Sequence, residues 1–312
     1  MDIFLRSISG ILVILGMILV GFVIGEKGWF DDKSRGLIAK LVTQIALPCY
    51  MLYTITQRFT AADLLKMLPA LRFPALSMVV LLGIATAVAK IFAVRQDRRG
   101  LFISMFFNSN TIFVGLPINQ ALFGDDSIPY VLIYYMCNTT FFWTLGTYLI
   151  QRDGEGEAQF DLKISVKKVF SPPLMGFILG LVMVMLQIKL PAFLASDLQY
   201  LGNLTTPLSM IFIGLSVSHV GVKQLVLGKD QLLILLGRFL VAPLLMATIV
   251  YWAPLPSLMK QVFIIQSAMP VMTNAPVVAR LYGADSDYAA VMVTETTLAT
   301  MVVIPILMVL MA

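Results

Sequence analysis

The stretch "NSNTIFVGLP" (108–117) interrupts an otherwise apolar run, "GLFISMFFNSNTIFVGLPINQALFG" (100–124). Two Asn, a Ser, a Thr, a Gly and a Pro stand where hydrocarbon is expected. Pro117 has no N–H and its ring clashes with the preceding turn. Gly115 adds backbone freedom. Together they predict a helix broken near its middle, and the meaning of that break depends on the solvent around it.

The solvent is a bilayer. The 312 residues are 59% hydrophobic and 12% charged, whereas a soluble domain carries roughly 25% charged residues. Mean hydropathy is +0.90. Of the 17 acidic residues, all but Glu295 lie in short segments between apolar runs, and of the 22 basic residues only Arg238 sits well inside a run. The net charge of +5 is then an orientation signal and not a nucleic-acid signal. Cys49 and Cys137 both fall in apolar runs, with no disulfide framework and no metal spacing. His219 is the single histidine, which excludes a multi-His site, and no cofactor is expected. The N-terminal run exceeds a signal-peptide core and lacks a small-residue cleavage site, so it is kept as a span.

A spanning helix needs ~20 mostly apolar residues. Ten segments qualify: 8–25, 37–57, 68–92, 100–123, 128–151, 171–189, 198–219, 231–252, 258–281 and 288–311. The predicted fold class is an all-α polytopic membrane protein of ten transmembrane helices. With the N-terminus outside, the inside segments hold 15 Lys and Arg and the outside segments six. The positive-inside rule then places both termini on the extracytoplasmic side of a cell membrane. The polar connection 152–168 becomes cytoplasmic and separates five spans (1–151) from five (169–312).

The two halves repeat. "IALPCYML" around Pro48 resembles "LTTPLSMI" around Pro207, and "VGLPINQALFGDDS" resembles "TNAPVVARLYGADS". Pro48 and Pro207, Pro117 and Pro276, and Gly124 and Gly283 are all 159 residues apart. Five is odd, so the second copy must be inverted. Inverted repeats with interrupted helices recur in secondary transporters. Backbone groups freed by a break cannot face lipid, where each costs several kcal/mol. They must line a protein-walled cavity. Asn108, Ser109, Asn110, Thr111, Gly115 and Pro117 supply the first break. The ninth span, "QSAMPVMTNAP", supplies the second through Gln266, Ser267, Met269, Pro270, Thr273, Asn274 and Pro276. If the breaks cross, half-helix N-termini converge, and their partial positive charge suits an anion. Pro48, Pro207, Pro243 and Pro305 read instead as kinks and packing contacts.

These residues resemble the auxin efflux carrier family, which includes plant auxin exporters and bacterial malate or malonate permeases. The resemblance covers the whole chain. It rests on "LVTQIALPCYML", "NSNTIFVGLPINQALFG", Arg238 five residues before Pro243, and "MPVMTNAPVVARLYGADSDYAAVMVTETTLATMVVIP". It implies two inverted five-helix repeats with crossing broken helices four and nine. It also implies a scaffold of helices one, two, six and seven, a transport domain of the remainder, and a homodimer. Plant members carry Asn two residues before the crossover proline of span four; here that place is Gly115. The long cytoplasmic loop of many plant exporters is also absent. Both departures favour the bacterial organic-anion branch.

Two intramembrane charges remain. Such groups are functional candidates by default. Glu295 and Arg238 have similar expected depth. Three readings of Glu295 stand open: an ion pair with Arg238, a carrier of a coupled proton, or a sodium ligand with Thr294, Thr296 and Thr297. Taken together, the expected function is a secondary transporter of small mono- or dicarboxylates, with elevator-like alternating access and substrate at the crossover. The alternatives are a sodium-coupled symporter of the bile-acid type, an intramembrane enzyme, or a channel. An enzyme would lack its nucleophile–base pair or metal cluster, and a channel its ring of charge or filter.

Overall fold

The computed structural model describes residues 2–154, 170–220 and 228–311. Most of the predicted 152–168 connection therefore lies outside the described residues, as does Lys223. Every named element among the described residues is helical. Five helices are long and apolar enough to cross a membrane: α2 (Lys33–Arg58), α3 (Leu65–Ile91), α8 (Ala192–His219), α9 (Lys229–Tyr251) and α12 (Ser286–Met311). Three more long helical stretches are α1 (Asp2–Glu26), α6 (residues 128–151) and α7 (Pro172–Met185).

The predicted spans 100–123 and 258–281 are not continuous. The first consists of α4 (Arg99–Phe107) and α5 (Gly115–Phe123). The second consists of α10 (Ser257–Ser267) and α11 (Ala275–Tyr282). The breaks fall at 108–114 and 268–274, upstream of where Pro117 and Pro276 were expected to make them. Pro117 is the third residue of α5 and Pro276 the second of α11. In the first turn a missing N–H costs nothing, because that N–H has no helical acceptor anyway. The prolines therefore start the second half-helix instead of ending the first. The seventh span also differs. It was placed at 198–219, but α8 begins at Ala192 on the N-cap Pro191; its first turn is apolar but exposed, and Ser196 and Asp197 separate it from the longer apolar run.

Pro48 and Pro243 each follow a π-turn closely, Val42–Ala46 and Gly237–Val241 respectively. A widened turn relieves the clash between a proline ring and the carbonyl four residues back. Pro305 lies inside α12 without one. The second half-helix of each pair ends on a glycine with positive φ, Gly124 at 73° and Gly283 at 74°. Gly124 combines this with ψ −173°, a region essentially confined to glycine. These are two of the positions paired in the sequence repeat.

The chain divides into two compact units. One comprises Val13–Pro69 and Lys167–His219. Here α7 packs along α2, and α1 meets α8 with backbones in contact. A side chain at Gly21 would strike the Ile211 carbonyl, and one at Gly214 the Ile18 carbonyl. Between membrane helices, where burial supplies no driving force, such small-residue contacts provide the packing.

The other unit comprises Met1–Leu12, Ala70–Val166 and Val220–Ala312. Its core surrounds α4, whose residues from Gly100 to Phe107 are all buried. A helix that is apolar on every side belongs inside. Phe102, Phe106, Phe142, Val271, Ala275 and Met292 form much of the packing. The N-terminal end of α4 is fixed by Asp153, which accepts from the Gly100 N–H at 2.9 Å and the Leu101 N–H at 2.6 Å. Burial pushes the Asp153 carboxyl up from its ordinary range, and these two N–H groups work against that push. A cavity of about 370 Å³ beside it is lined by Arg99, Arg152 and Gln96 among others.

Candidate functional site

The two breaks cross. Ser109 and Val271 form an isolated antiparallel β-bridge, and the Asn110 N–H donates to the Pro270 carbonyl at 2.8 Å. Asn108 has left helical geometry, with φ −95° and ψ 142°. The extended backbone needs partners, because it is buried and lipid offers none. Several partners are side chains from other elements. Asn138 on α6 presents its amide to both sides of Ser109: Oδ1 accepts the Ser109 N–H at 2.9 Å and Nδ2 donates to the Ser109 carbonyl at 2.7 Å. Thr296 on α12 accepts the Val271 N–H at 3.0 Å. Gln266 donates to the Thr111 carbonyl at 3.2 Å.

Four half-helix ends thus lie near one crossing, and they are not treated alike. Both C-terminal ends are satisfied by one side chain. Arg238, fully buried at 0% exposure, projects from the π-turn of α9. Its Nη1 donates to the Phe106 carbonyl at 3.1 Å, in the last turn of α4. Its Nη2 donates to the Ser267 carbonyl, at the end of α10, and its Nε to the Met269 carbonyl at 3.1 Å. A guanidinium meets there the negative ends of two helix dipoles and the carbonyls that a helix leaves unpaired. The N-terminal ends have no such treatment. Val114 and Asn274 occupy the N-cap positions of α5 and α11, and neither makes a side-chain cap.

The direct ion pair between Arg238 and Glu295 is not formed. All three directions of the guanidinium are spent on carbonyls, and both Glu295 oxygens are buried without a hydrogen-bond partner. The physical reason is rotational. Sequence gives depth along a helix but not the phase of its face, and Arg238 donates into the crossing while Glu295 forms no hydrogen bond there.

The other expected site residues sort as follows. Asn108, Ser109, Asn110 and Thr111 are buried in the first break. Asn110 accepts the Phe113 N–H at 3.2 Å and keeps its Nδ2 unpartnered, while Asn108 donates to Ser104 and keeps its Oδ1 unpartnered. Gly115 lies against Gln266, whose Oε1 a Cβ there would strike. Gln266 Oε1 is itself buried and unpartnered. Met269 and Pro270 are buried and contribute carbonyls, and the Ser267 hydroxyl is spent on Ile264. Thr273, Asn274 and Pro276 are half-buried at the start of α11. Sequence reasoning passed over Asn138 and Asn119 and read Thr296 only as a possible sodium ligand beside Glu295; Asn119 donates to the Gly115 carbonyl at 2.7 Å. For Asn138 the signal existed, an amide within the apolar run 128–151.

The profile of a family described as membrane transport protein matches residues 7–308. Two archaeal proteins are similar over nearly their whole length. An uncharacterized transporter of Methanocaldococcus jannaschii is 27% identical over 299 residues, covering 94% of this chain and 95% of that protein. An uncharacterized transporter of Methanothermobacter thermautotrophicus is 26% identical over 312 residues, covering 97% and 98%. Helices long enough to cross a bilayer, two breaks crossing inside a buried unit, and a match spanning almost the full chain lead to one assignment: the chain belongs to the membrane transport protein family, the auxin efflux carrier family that its motifs resemble.

Proposed function

We propose that the protein is a secondary transporter of small organic anions, mono- or dicarboxylates, that binds its substrate at the crossing of the two broken helices. The observation that carries this is the unequal treatment of the helix ends. Arg238 neutralises the two C-terminal ends, and the two N-terminal ends are left uncapped. The charge available to a ligand is therefore the partial positive charge of α5 and α11, together with the buried Asn110 Nδ2. Helix N-termini favour anions, and here the first N–H of each half-helix is already taken, Gly115 by the Asn110 carbonyl and Ala275 by the Met272 carbonyl, so the dipole and the Asn110 amide carry the attraction. The crossing lies wholly within one compact unit. This supports an elevator-like cycle in which that unit carries the substrate against the other unit as scaffold, in ten spans arranged as inverted repeats.

A thermal-shift screen of C2–C6 carboxylates on purified protein, with and without sodium, tests the reading, because a ligand of the folded state raises apparent stability. At least one carboxylate should raise the melting temperature, and amines of the same size should not. No shift by any carboxylate would sink it.

The Asn274 side chain is half-buried beside the α11 N-terminus and is not used as a cap. Asn274→Ala is therefore expected to weaken binding by ~0.5–1.5 kcal/mol, with little change in melting temperature of the ligand-free protein. Undiminished affinity in a well-folded variant would remove Asn274 from the site.

Both termini are proposed to face out, following the 15-to-six asymmetry of basic residues. Single cysteines at positions 155 and 312 should react with an impermeant maleimide only from inside and only from outside, respectively. The reverse pattern would invert the orientation.

A further inference from the structure

Glu295 is the one acidic side chain set deep within a predicted span, and the crossing does not use it. It is 7% exposed, and neither carboxyl oxygen has a hydrogen-bond partner. Its surroundings follow from helix geometry. With 3.6 residues per turn, the neighbours one turn away on its own face of α12 are Val291, Met292, Leu298 and Ala299, none of which bears an oxygen in its side chain. Thr294, Thr296, Thr297 and Thr300 point elsewhere around the helix. Their hydroxyls donate to the carbonyls of Ala290, Met292, Val293 and Thr296.

The charged groups of neighbouring elements are also committed. Arg238 on α9 serves three carbonyls. Lys260 on α10 donates to the Tyr251 carbonyl. Arg280 on α11 is exposed. Two turns toward the α12 N-terminus, on the Glu295 face, lies Tyr288, whose hydroxyl is likewise buried and unpartnered. Its ring carries the Arg98 guanidinium at 4.5 Å, and Arg98 is paired with Asp230 at 2.7 Å. Among the described residues, none of these groups hydrogen-bonds or ion-pairs with Glu295.

An ionised carboxylate held in this way is costly. A hard cation would offset the charge, but such an ion takes several oxygen ligands at once, and the neighbouring side chains on this face of α12 offer none besides the carboxyl. We propose that Glu295 is the coupling site of the transporter. It binds one proton while its face is buried and gives it up when the carboxyl meets water, so that one proton crosses with each anion. This rests on the transport reading above. In the proton-loaded form the carboxyl O–H bond is intact and the site is neutral. In release the proton passes to water and leaves the carboxylate.

Two measurements on the full-length protein in liposomes test it. The first is infrared spectroscopy, which needs no substrate. The wild type should show the carbonyl stretch of a buried protonated carboxylic acid. The band should shift in deuterated water, be insensitive to sodium, and be missing from Glu295→Gln. Glu295→Asp should keep it at a displaced position. Absence of the band from the wild type, or its conversion to carboxylate bands by added sodium, would overturn the proposal, the latter in favour of a metal site. The second uses malonate as the probe and a trapped pH dye. Malonate entry should be accompanied by proton entry in the wild type, and Glu295→Gln should abolish that accompanying flux. Proton flux that persists with malonate in Glu295→Gln would also overturn it. If the band behaves as expected but neither malonate nor any other C2–C6 carboxylate moves, the proton site stands and the substrate reading fails.

Discussion

Arg238→Met should lose most of the folded state. Three carbonyls, of Phe106, Ser267 and Met269, depend on this one guanidinium. Methionine matches the stem but donates nothing. Each stranded buried acceptor costs about 1–3 kcal/mol, and three are stranded at once. Against a total stability of roughly 5–15 kcal/mol, this is a large share. The expected readout is a steep fall in melting temperature and in the monodisperse fraction in detergent. Arg238→Lys separates charge from shape. Lysine keeps a positive charge for the two helix C-termini, but as a compact point charge it cannot reach both ends with a planar fork. It should recover part of the loss and not all of it. If Arg238→Lys equals the wild type, the helix dipoles alone explain the residue. If Arg238→Met melts at the wild-type temperature, the carbonyls have other donors and the bridging role is wrong.

The limits of the sequence reading have physical causes that can be named residue by residue. Hydropathy located the two interrupted segments, because lipid forbids free backbone and only a polar cluster makes an interruption tolerable. It did not locate the breaks themselves. Proline marks where a helix is able to start as readily as where one stops, and the extended conformation at Asn108 is imposed by tertiary partners. Composition likewise singled out Arg238 and Glu295 as the charges deep in spans. Their separate fates depended on helix rotation, and the π-turn Gly237–Val241 resets that rotation within α9. The start of α8 escaped for the opposite reason. Ser196 and Asp197 interrupt the apolar pattern after its first turn, so the apolar run was begun after them although the helix was not. Asn138 was the costliest omission. Its role exists only because α6 packs against the break, a contact 29 residues away in sequence that no local pattern encodes.

Asn138→Leu is expected to open the first break from that side. The amide holds the Ser109 N–H and the Ser109 carbonyl in one plane, as a neighbouring strand would. Ser109 and Asn138 are both 0% exposed, so water does not replace what leucine removes. Leucine strands the Ser109 N–H, at about 1–3 kcal/mol, and removes one of the two donors of the Ser109 carbonyl, which keeps the Thr111 N–H at 3.0 Å, so the loss is second to that of Arg238. Asn138→Asp is the informative companion. A carboxylate still accepts the Ser109 N–H but has nothing to donate to the Ser109 carbonyl, and it sets two acceptors against each other. It should therefore do no better than leucine, although it differs from asparagine by a single group. Amide hydrogen exchange localises the effect. In the wild type the Ser109 and Asn110 amides should be among the protected ones. In Asn138→Leu their protection should collapse, while that of α2 and α7 in the other unit stays. Uniform loss of protection across both units would mean that Asn138 supports the whole fold. Unchanged protection at Ser109 would mean that the β-bridge to Val271 is enough to hold the break, and Asn138 would lose its place in the site.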